Sequence, residues 1–139
     1  GVVGKDGVVG KIISVSRNYA TVQSLLHSDY HISSQVASNK VIGSVAWNGE
    51  DITQAQMRYV PRHVRIQKGE QIVTSGYNAI FPAGINIGTI SNYELPQNES
   101  FYAIDLDLDT EFSTLFYVFV IRNKEKLEQE KLSSQTNKE

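Results

Sequence analysis

The chain has 139 residues, 40% of them hydrophobic, and a formal net charge of −2. This length is enough for one domain or two small ones, but not for a large multidomain enzyme. The slightly negative charge provides no overall attraction to nucleic acid or anionic lipid, so we expect no nucleic-acid partner. The chain contains no cysteine, which excludes disulfide bonds and thiolate metal ligands. No apolar run reaches the roughly 20 residues that span a bilayer.

The first part of the chain alternates apolar and polar residues with a period of two, which is typical of strands. This pattern predicts strands over residues 8–16 and 19–26, joined by a turn at Arg17 and Asn18. The opening residues, 1–3, read as the end of a strand whose beginning is missing. We therefore expect the chain to be a fragment of a longer protein.

The middle of the chain predicts a second hairpin and then a boundary. Asn48-Gly49 is a strong hairpin signal, and alternation over residues 53–59 favours a strand there. A helix that begins after Asp51 is the alternative. Residues 61–68 are polar and basic and begin with a proline, which breaks strand pairing. They predict a boundary between two regions, 1–61 and 62–122.

The second half predicts two more pairs of strands. Residues 71–75 and 85–91 flank a loop that contains glycine and proline, and strands are also predicted over 101–109 and 114–121. Residues 118–121 are apolar on both faces, so we expect them to be buried between the two halves. From residue 123 onward the chain is mostly charged and polar, which predicts a disordered tail, with a frayed helix as the alternative. The fold class is all-β, with two small β-barrels packed side by side.

Three separated motifs follow one another along residues 1–122. The first is Asp6-Gly7-Val8-Val9-Gly10-Lys11-Ile12, the second is Tyr59-Val60-Pro61, and the third is Gly69-Glu70-Gln71-Ile72-Val73-Thr74-Ser75-Gly76 with Phe81-Pro82-Ala83-Gly84-Ile85-Asn86-Ile87-Gly88. Together they resemble the extracytoplasmic domain of the rod shape-determining MreC family. The residues interpreted as this structural motif are Gly7, Gly10, Gly69, Thr74, Ser75, Gly76, Phe81, Pro82, Gly84 and Gly88.

The resemblance implies a non-catalytic scaffold of the bacterial cell-elongation machinery, without a cofactor. It implies the periplasmic domain of a single-pass inner-membrane protein whose anchor is absent from this chain. The implied partners are the class B penicillin-binding transpeptidase of elongation, the membrane protein MreD and, across the membrane, the actin-like MreB. Self-association into dimers or filaments is also implied.

One set of residues raises the alternative of a serine hydrolase. His27, Asp51 and Ser75 follow the chain order of the catalytic triad in chymotrypsin-like proteases, which are also paired barrels. However, Ser75 lacks a preceding glycine-rich segment that would build an oxyanion hole, and it lies inside the structural motif. We therefore predict no catalytic residues.

Four acidic residues alternate with leucines near the end of the predicted barrel. On a strand, Asp105, Asp107, Asp109 and Glu111 share one face. Successive carboxylates on such a face lie roughly 7 Å apart, which does not converge on a metal ion. We predict a solvated face and no metal site. A docking role is the alternative, and the candidate interaction surface is Phe81, Asp105, Asp107 and Asp109.

Basic residues cluster at the predicted boundary: Arg58, Arg62, His63, Arg65 and Lys68. We interpret them as a solvated linker, with contact to a partner or to an anionic cell-wall polymer as the alternative. A module that binds cell-wall glycan is a further alternative, and it would present grouped aromatic side chains. The tyrosines of the second half are too scattered to favour it: Tyr77, Tyr93, Tyr102 and Tyr117.

Overall fold

The computed structural model describes residues 1–77 and 80–121, and the predicted tail from residue 123 lies outside these ranges. The described residues form ten strands and one short 3₁₀ helix, so the all-β prediction is confirmed. The strands are β1 Val2–Val3, β2 Val8–Val15, β3 Ala20–Ser24, β4 Ile32–Val36, β5 Ile42–Ala46, β6 Gln54–Arg58, β7 Gln71–Thr74, β8 Asn86–Glu94, β9 Ala103–Leu108 and β10 Phe119–Val120. The 3₁₀ helix spans Phe112–Thr114.

The strands belong to two sheets. Six of them form a closed antiparallel barrel in the order β4-β5-β6-β9-β8-β7, and the other four form a sheet in the order β10-β1-β2-β3. The barrel closes where β4 pairs with β7, in a register that places Ser34 opposite Thr74 and Val36 opposite Ile72. Closure gives every barrel strand two hydrogen-bonded neighbours. Among the described residues, no helix is long and apolar enough to cross a membrane.

The predicted boundary at residues 61–68 does not coincide with the division into sheets. The barrel takes β4 to β6 from before this segment and β7 to β9 from after it. The segment itself is fastened to the barrel, since Val60 and Ile66 are buried and Pro61 forms an isolated bridge with Phe101. The division into sheets instead falls at residues 25–31 and 109–118. A polar, proline-containing stretch therefore marks a surface loop of one barrel here.

Most of the strands predicted from alternation are present. The β2–β3 hairpin turns at residues 16–19, where the Ser16 amide donates to the Tyr19 carbonyl at 2.7 Å. Residues 54–58 form a strand, so the helical alternative is wrong. The hairpin predicted from Asn48-Gly49 joins β5 to β6, but its connection covers residues 47–53 and is longer than a two-residue turn. Gly49 nevertheless has a positive φ of 86°, as a turn at Asn-Gly requires.

The strand predicted over 114–121 is wrong for its first half. A 3₁₀ helix ends at Thr114, and only Phe119 and Val120 pair, with β1 at the edge of the open sheet. The prediction that residues 118–121 are buried is also wrong, because Val118, Phe119 and Val120 are all exposed. An apolar run on an edge strand has no second neighbour to cover it.

The core fills the barrel and continues toward the open sheet. Ile104 and Leu106 of β9 point inward between outward-facing aspartates, as the alternation predicts. Val8 of β2 belongs to the same buried cluster as the barrel residues. At this junction the Thr110 hydroxyl donates a buried hydrogen bond of 2.8 Å to the Val8 carbonyl. Gly7 lies so close to the Asn86 carbonyl that a Cβ there would collide with it, so this glycine allows the sheets to meet.

Tyr30 lies just before β4 and is buried, with the Lys11 ammonium 5.0 Å from the centre of its ring. Burial raises the pKa of the Tyr30 phenol to about 12. The folded state therefore binds the phenolic proton more tightly than the unfolded chain, in which a tyrosine ionises near pH 10. This contribution to stability is fully present below pH 10 and is lost as the pH rises through about 12.

We expect the wild-type free energy of unfolding to fall by about 2 kcal/mol more than that of Tyr30→Phe between pH 10 and pH 12. Urea titrations at pH 8, 10, 11 and 12 on both proteins measure the difference. The variant retains the lysines, so their deprotonation affects both proteins alike. If the free energies of unfolding of the wild type and of Tyr30→Phe fell equally between pH 10 and pH 12, Tyr30 would not be buried in its un-ionised form.

Candidate interaction surfaces

The structural motif builds a loop that is closed at its neck by Thr74. Its hydroxyl donates to the Pro82 carbonyl at 2.6 Å and accepts from the Ile85 amide at 2.9 Å. The Thr74 carbonyl accepts from the Gly84 amide, also at 2.9 Å. Thr74 is fully buried, so these bonds form away from water and satisfy every polar group of its side chain. Thr74, within the Val-Thr-Ser-Gly sequence, thus fixes the conformation of the loop through its hydrogen bonds to Pro82, Gly84 and Ile85.

Two glycines of this loop adopt backbone angles that other residues avoid. Gly76 has φ of 80° and Gly84 has φ of 96°. A Cβ at Gly76 would also press against Ala83, at 3.2 Å from its nitrogen, whereas a Cβ at Gly84 would meet open space. The requirement for glycine at position 84 is therefore purely conformational.

Phe81, one of the predicted interaction residues, is only 3% exposed. Its ring packs in the main core cluster and lies against Gly1 at the start of the chain. It is therefore not part of an accessible surface. Its place in the Phe-Pro-x-Gly sequence anchors the loop to the body of the protein, since a large aromatic side chain stabilises most when it is buried.

The acidic residues divide into two groups. Asp105 and Asp107 face outward from β9, and the Gln54 amide of the neighbouring strand donates to Asp107 at 3.4 Å. The strand ends at Leu108, so Asp109 and Glu111 lie beyond the predicted acidic face. The Asp109 carboxylate accepts a hydrogen bond from the Gln71 amide. β9 is paired with β6 on one side and β8 on the other, so it offers no free edge.

Five consecutive exposed apolar residues occupy positions 116–120, which we call the apolar segment. Phe116 is 85% exposed, Tyr117 74% and Phe119 61%, with Val118 and Val120 also exposed. The rings of Phe116 and Tyr117 meet edge to face, with centroids 4.9 Å apart. An exposed aromatic cluster of this kind is typical of a contact surface. The residue pattern shows the run of apolar side chains, but its exposure follows only from the topology.

A groove of about 320 Å³ lies beside the apolar segment. Its walls include Lys5 and Asp6 of the β1–β2 turn on one side, and Leu115, Phe116 and Tyr117 on the other. The groove therefore combines apolar rings with one positive side chain, Lys5, and two negative ones, Asp6 and Glu111.

Arg58 is the last residue of β6, the other four basic residues lie on the loop between β6 and β7, and all five side chains are exposed. Arg62 donates to the main-chain carbonyl of Glu99 at 3.0 Å. Within the described ranges, none of the five side chains forms an ion pair. Their charges are therefore available to solvent or to a partner.

The three residues of the hydrolase alternative have other partners. The Asp29 amide donates to the Nδ1 atom of His27, and Asp51 accepts from the amide and hydroxyl of Thr53, which lowers the pKa of Asp51. The Ser75 hydroxyl shares a 2.6 Å hydrogen bond with the Ser33 hydroxyl. In the part of the chain that the structure describes, no hydrogen bond joins two of the three side chains, and no group of histidines and carboxylates could hold a metal.

Comparison with known proteins agrees with the resemblance found in the motifs. Residues 1–122 match the family model described as the barrel core of the rod shape-determining protein MreC. The chain belongs to the MreC family. A cell shape-determining protein MreC from Listeria monocytogenes is 33% identical over 92 residues, which are 64% of this chain and 31% of that protein. The chain thus spans about a third of the length of this relative.

Solved structures show the same fold. MreC from Pseudomonas aeruginosa superposes with a TM-score of 0.81 at 23% identity, over 87% of this chain and 77% of the other. A chain from a complex between a penicillin-binding protein and MreC, both from Helicobacter pylori, gives a TM-score of 0.72 at 22% identity, over 89% of this chain and 77% of the other. The closed barrel with a second sheet is therefore the architecture of the family.

Replacement of Gly84 by valine should lower the free energy of unfolding by about 1–3 kcal/mol, because a β-branched residue resists the left-handed region. Gly84→Asn is the matched control, since asparagine tolerates these angles best among the larger residues. The asparagine variant should lose clearly less free energy of unfolding than the valine variant. Equal melting temperatures for the valine variant and the parent would show that the loop relaxes to other angles.

Ser75 should not react with a fluorophosphonate probe, because its hydroxyl is bonded to Ser33 and no histidine hydrogen-bonds to it. Mass spectrometry of the probe-treated protein measures labelling at this residue. A Ser75→Ala variant serves as the background control. Stoichiometric labelling at Ser75 would restore the hydrolase alternative.

Proposed function

We propose that this chain is the extracytoplasmic interaction domain of a scaffold that maintains cell shape by organising peptidoglycan synthases, without catalysis of its own. The family assignment supports a role in cell shape. The fold adds surfaces that a scaffold could use: a closed barrel carries an open sheet whose edge and loops differ in chemistry. The proposal includes a periplasmic location beside the inner membrane.

We further propose the elongation-specific class B penicillin-binding transpeptidase as the principal partner. The structural relative from Helicobacter pylori was solved in a complex with a penicillin-binding protein, which supports this choice. MreD is also proposed as a partner, and MreB would be contacted through a cytoplasmic part of the protein. Self-association of the domain is also proposed, as the family resemblance implies.

The observation on which the partner proposal depends is the exposed apolar segment, residues 116–120. Each aromatic side chain offers roughly 150–250 Å² of surface, so the three exposed rings leave on the order of 400 Å² of apolar area in contact with water. This area falls within the range of the largest patch on a typical monomer, which is often functional. The groove beside it would receive a side chain of the partner, and Lys5 and Asp6 at its rim would select its orientation.

Asp105 and Asp107 remain a second proposed contact. They face outward from a strand that is held on both sides, so a partner would meet their side chains rather than a free backbone edge. Such a contact would contribute to the rate and selectivity of association more than to its strength. Phe81 and Asp109 are engaged within the protein and do not belong to this surface.

The experiment measures binding of the periplasmic part of the cognate transpeptidase to the purified chain. We expect Phe116→Ser combined with Phe119→Ser to weaken binding by at least about tenfold, because hot-spot aromatics account for most of an interface's energy. The matched control is Val15→Ser combined with Tyr19→Ser, which removes exposed apolar side chains at the tip of the β2–β3 hairpin. It should bind like the parent.

Two outcomes would revise the proposal. Equal weakening by both double variants would mean that general surface hydrophobicity, not the apolar segment, drives capture. Asp105→Lys combined with Asp107→Lys tests the acidic face in the same assay at low and high salt. Salt-dependent weakening would include this face in the interface, whereas unchanged binding at both salt concentrations would remove it.

A further inference from the structure

The loop between β6 and β7 presents a concentrated positive charge on a chain whose net charge is negative. Together with Arg58, the last residue of β6, it carries Arg62, His63, Arg65 and Lys68, all exposed, and we call residues 58–68 the basic loop. Three of these residues are arginines, whose planar guanidinium groups match phosphate oxygens in pairs. The partner assigned to the apolar segment does not account for this charge.

The backbone of the basic loop is held firmly to the barrel. The Tyr102 hydroxyl donates to the Val64 carbonyl at 2.9 Å, and the side-chain amide of Asn39 donates to the Arg65 carbonyl at 3.3 Å. The Arg62 amide donates to the Ser100 carbonyl at 3.0 Å. Val60 and Ile66 within the loop are buried. The positive side chains therefore project from a fixed frame and keep their mutual arrangement.

The nearby acidic residues do not neutralise the basic loop. The Glu70 carboxylate accepts hydrogen bonds from the Ser38 hydroxyl at 2.7 Å and from the main-chain amide of Gln67 at 2.9 Å. Glu99 offers Arg62 its main-chain carbonyl and not its carboxylate. Over the described ranges, no ion pair engages any of the basic side chains. Like charges held together without counter-charges repel, so the arrangement favours an external anion.

An exposed aromatic pair borders the basic loop. Tyr59 is 60% exposed and Phe101 44%, and their rings meet edge to face with centroids 5.8 Å apart. Tyr59 holds a positive φ of 72°, which is unfavourable for a residue with a side chain. Strain of this kind persists where the surroundings enforce it and is concentrated at binding sites. Here it places a large ring in solvent beside the arginines.

Aromatic rings beside basic side chains are the chemistry of proteins that lie at a bilayer interface. Rings with a polar tip settle at the level of the lipid headgroups, while lysine and arginine bind the lipid phosphates. A polymer that binds by stacking would need a series of rings along a groove, and a single edge-to-face pair does not provide one. The observations therefore favour a membrane surface over a soluble polyanion.

We propose that the basic loop, together with Tyr59 and Phe101, contacts the headgroups of an anionic lipid bilayer. This inference rests on the proposed function for the location of the domain beside the inner membrane. It adds an orientation: the end of the barrel that carries residues 58–68 faces the membrane. The apolar segment belongs to the other sheet and remains available to a protein partner.

The test is co-sedimentation of the whole chain with vesicles of phosphatidylglycerol and phosphatidylcholine, and with vesicles of phosphatidylcholine alone. We expect binding to the anionic vesicles at low salt and about tenfold weaker binding for Arg62→Gln combined with Arg65→Gln, since two charges near the surface are lost. The matched control, Lys11→Gln combined with Arg17→Gln, changes the net charge equally at sites on the open sheet, away from the loop. It should bind like the parent.

A second variant tests the contribution of the Tyr59 ring to vesicle binding separately from that of the basic side chains. Tyr59→Gly removes the ring and relieves the positive φ, so the protein should melt no lower than the parent while binding vesicles several-fold more weakly. Inorganic polyphosphate serves as the soluble polyanion. If polyphosphate binds as tightly as the vesicles and Tyr59→Gly leaves vesicle binding unchanged, a soluble polyanion is the ligand and the proposal is wrong.

Two further results would overturn the membrane contact: no binding of the parent to anionic vesicles at low salt, or equal loss in the loop variant and its control. Neither result involves the transpeptidase. The capture assay on the apolar segment is run without lipid, so failure of the membrane contact and failure of the scaffold role are observed separately.

Discussion

Closure of the barrel is the constraint on which the rest of the structure depends. It occurs where β4 meets β7, strands that lie before and after the basic loop in the chain. The pairing brings Ser34 opposite Thr74, so the same residue that closes the neck of the motif loop also belongs to the closing strand. Ser33 and Ser75 continue the contact through their hydroxyl groups. Closure of the barrel and formation of the motif loop are therefore parts of one arrangement.

Closure also determines where the protein can bind others. A closed barrel has no strand edge, so its strands present side chains but no unpaired backbone. The open sheet does have edges, and one of them is β10, which forms the end of the apolar segment. The loops at the barrel's ends are the other accessible places, and one of these is the basic loop. Each proposed surface thus lies where the topology leaves something unpaired or unburied.

The sequence pattern predicted what depends on neighbours in the chain. Alternation located β2, β6 and β9 and turned Leu106 inward, because the direction of side chains in a strand depends on local geometry alone. The succession of short strands predicted the all-β fold class, and glycine and proline predicted the loop between β7 and β8. The positive φ of Gly84 follows from the same local rule, since glycine adopts such angles without steric cost.

The pattern failed where the answer depends on distant pairing. Residues 118–121 are as apolar as an interior strand, yet β10 is an edge, and nothing within these four residues distinguishes the two cases. Phe81 was predicted as part of the interaction surface, but its ring packs in the core and against Gly1 at the start of the chain. The basic stretch resembled a linker because the hydrogen bonds that fasten it come from Asn39, Ser100 and Tyr102, far along the chain.

The net charge of −2 shows how far composition can mislead about binding. A negative net charge predicts no overall attraction to an anionic surface, because the net charge determines the electrostatic field of the chain at long range. Asp105, which pairs with Gln56, lies roughly 7 Å from Arg58 along β6 and can offset its charge, whereas Asp107, which pairs with Gln54, lies roughly 13 Å away. At physiological ionic strength, charges are screened over about 8 Å. The rest of the basic loop continues beyond Arg58, so a surface that approaches it meets positive charge that the acidic face does not cancel.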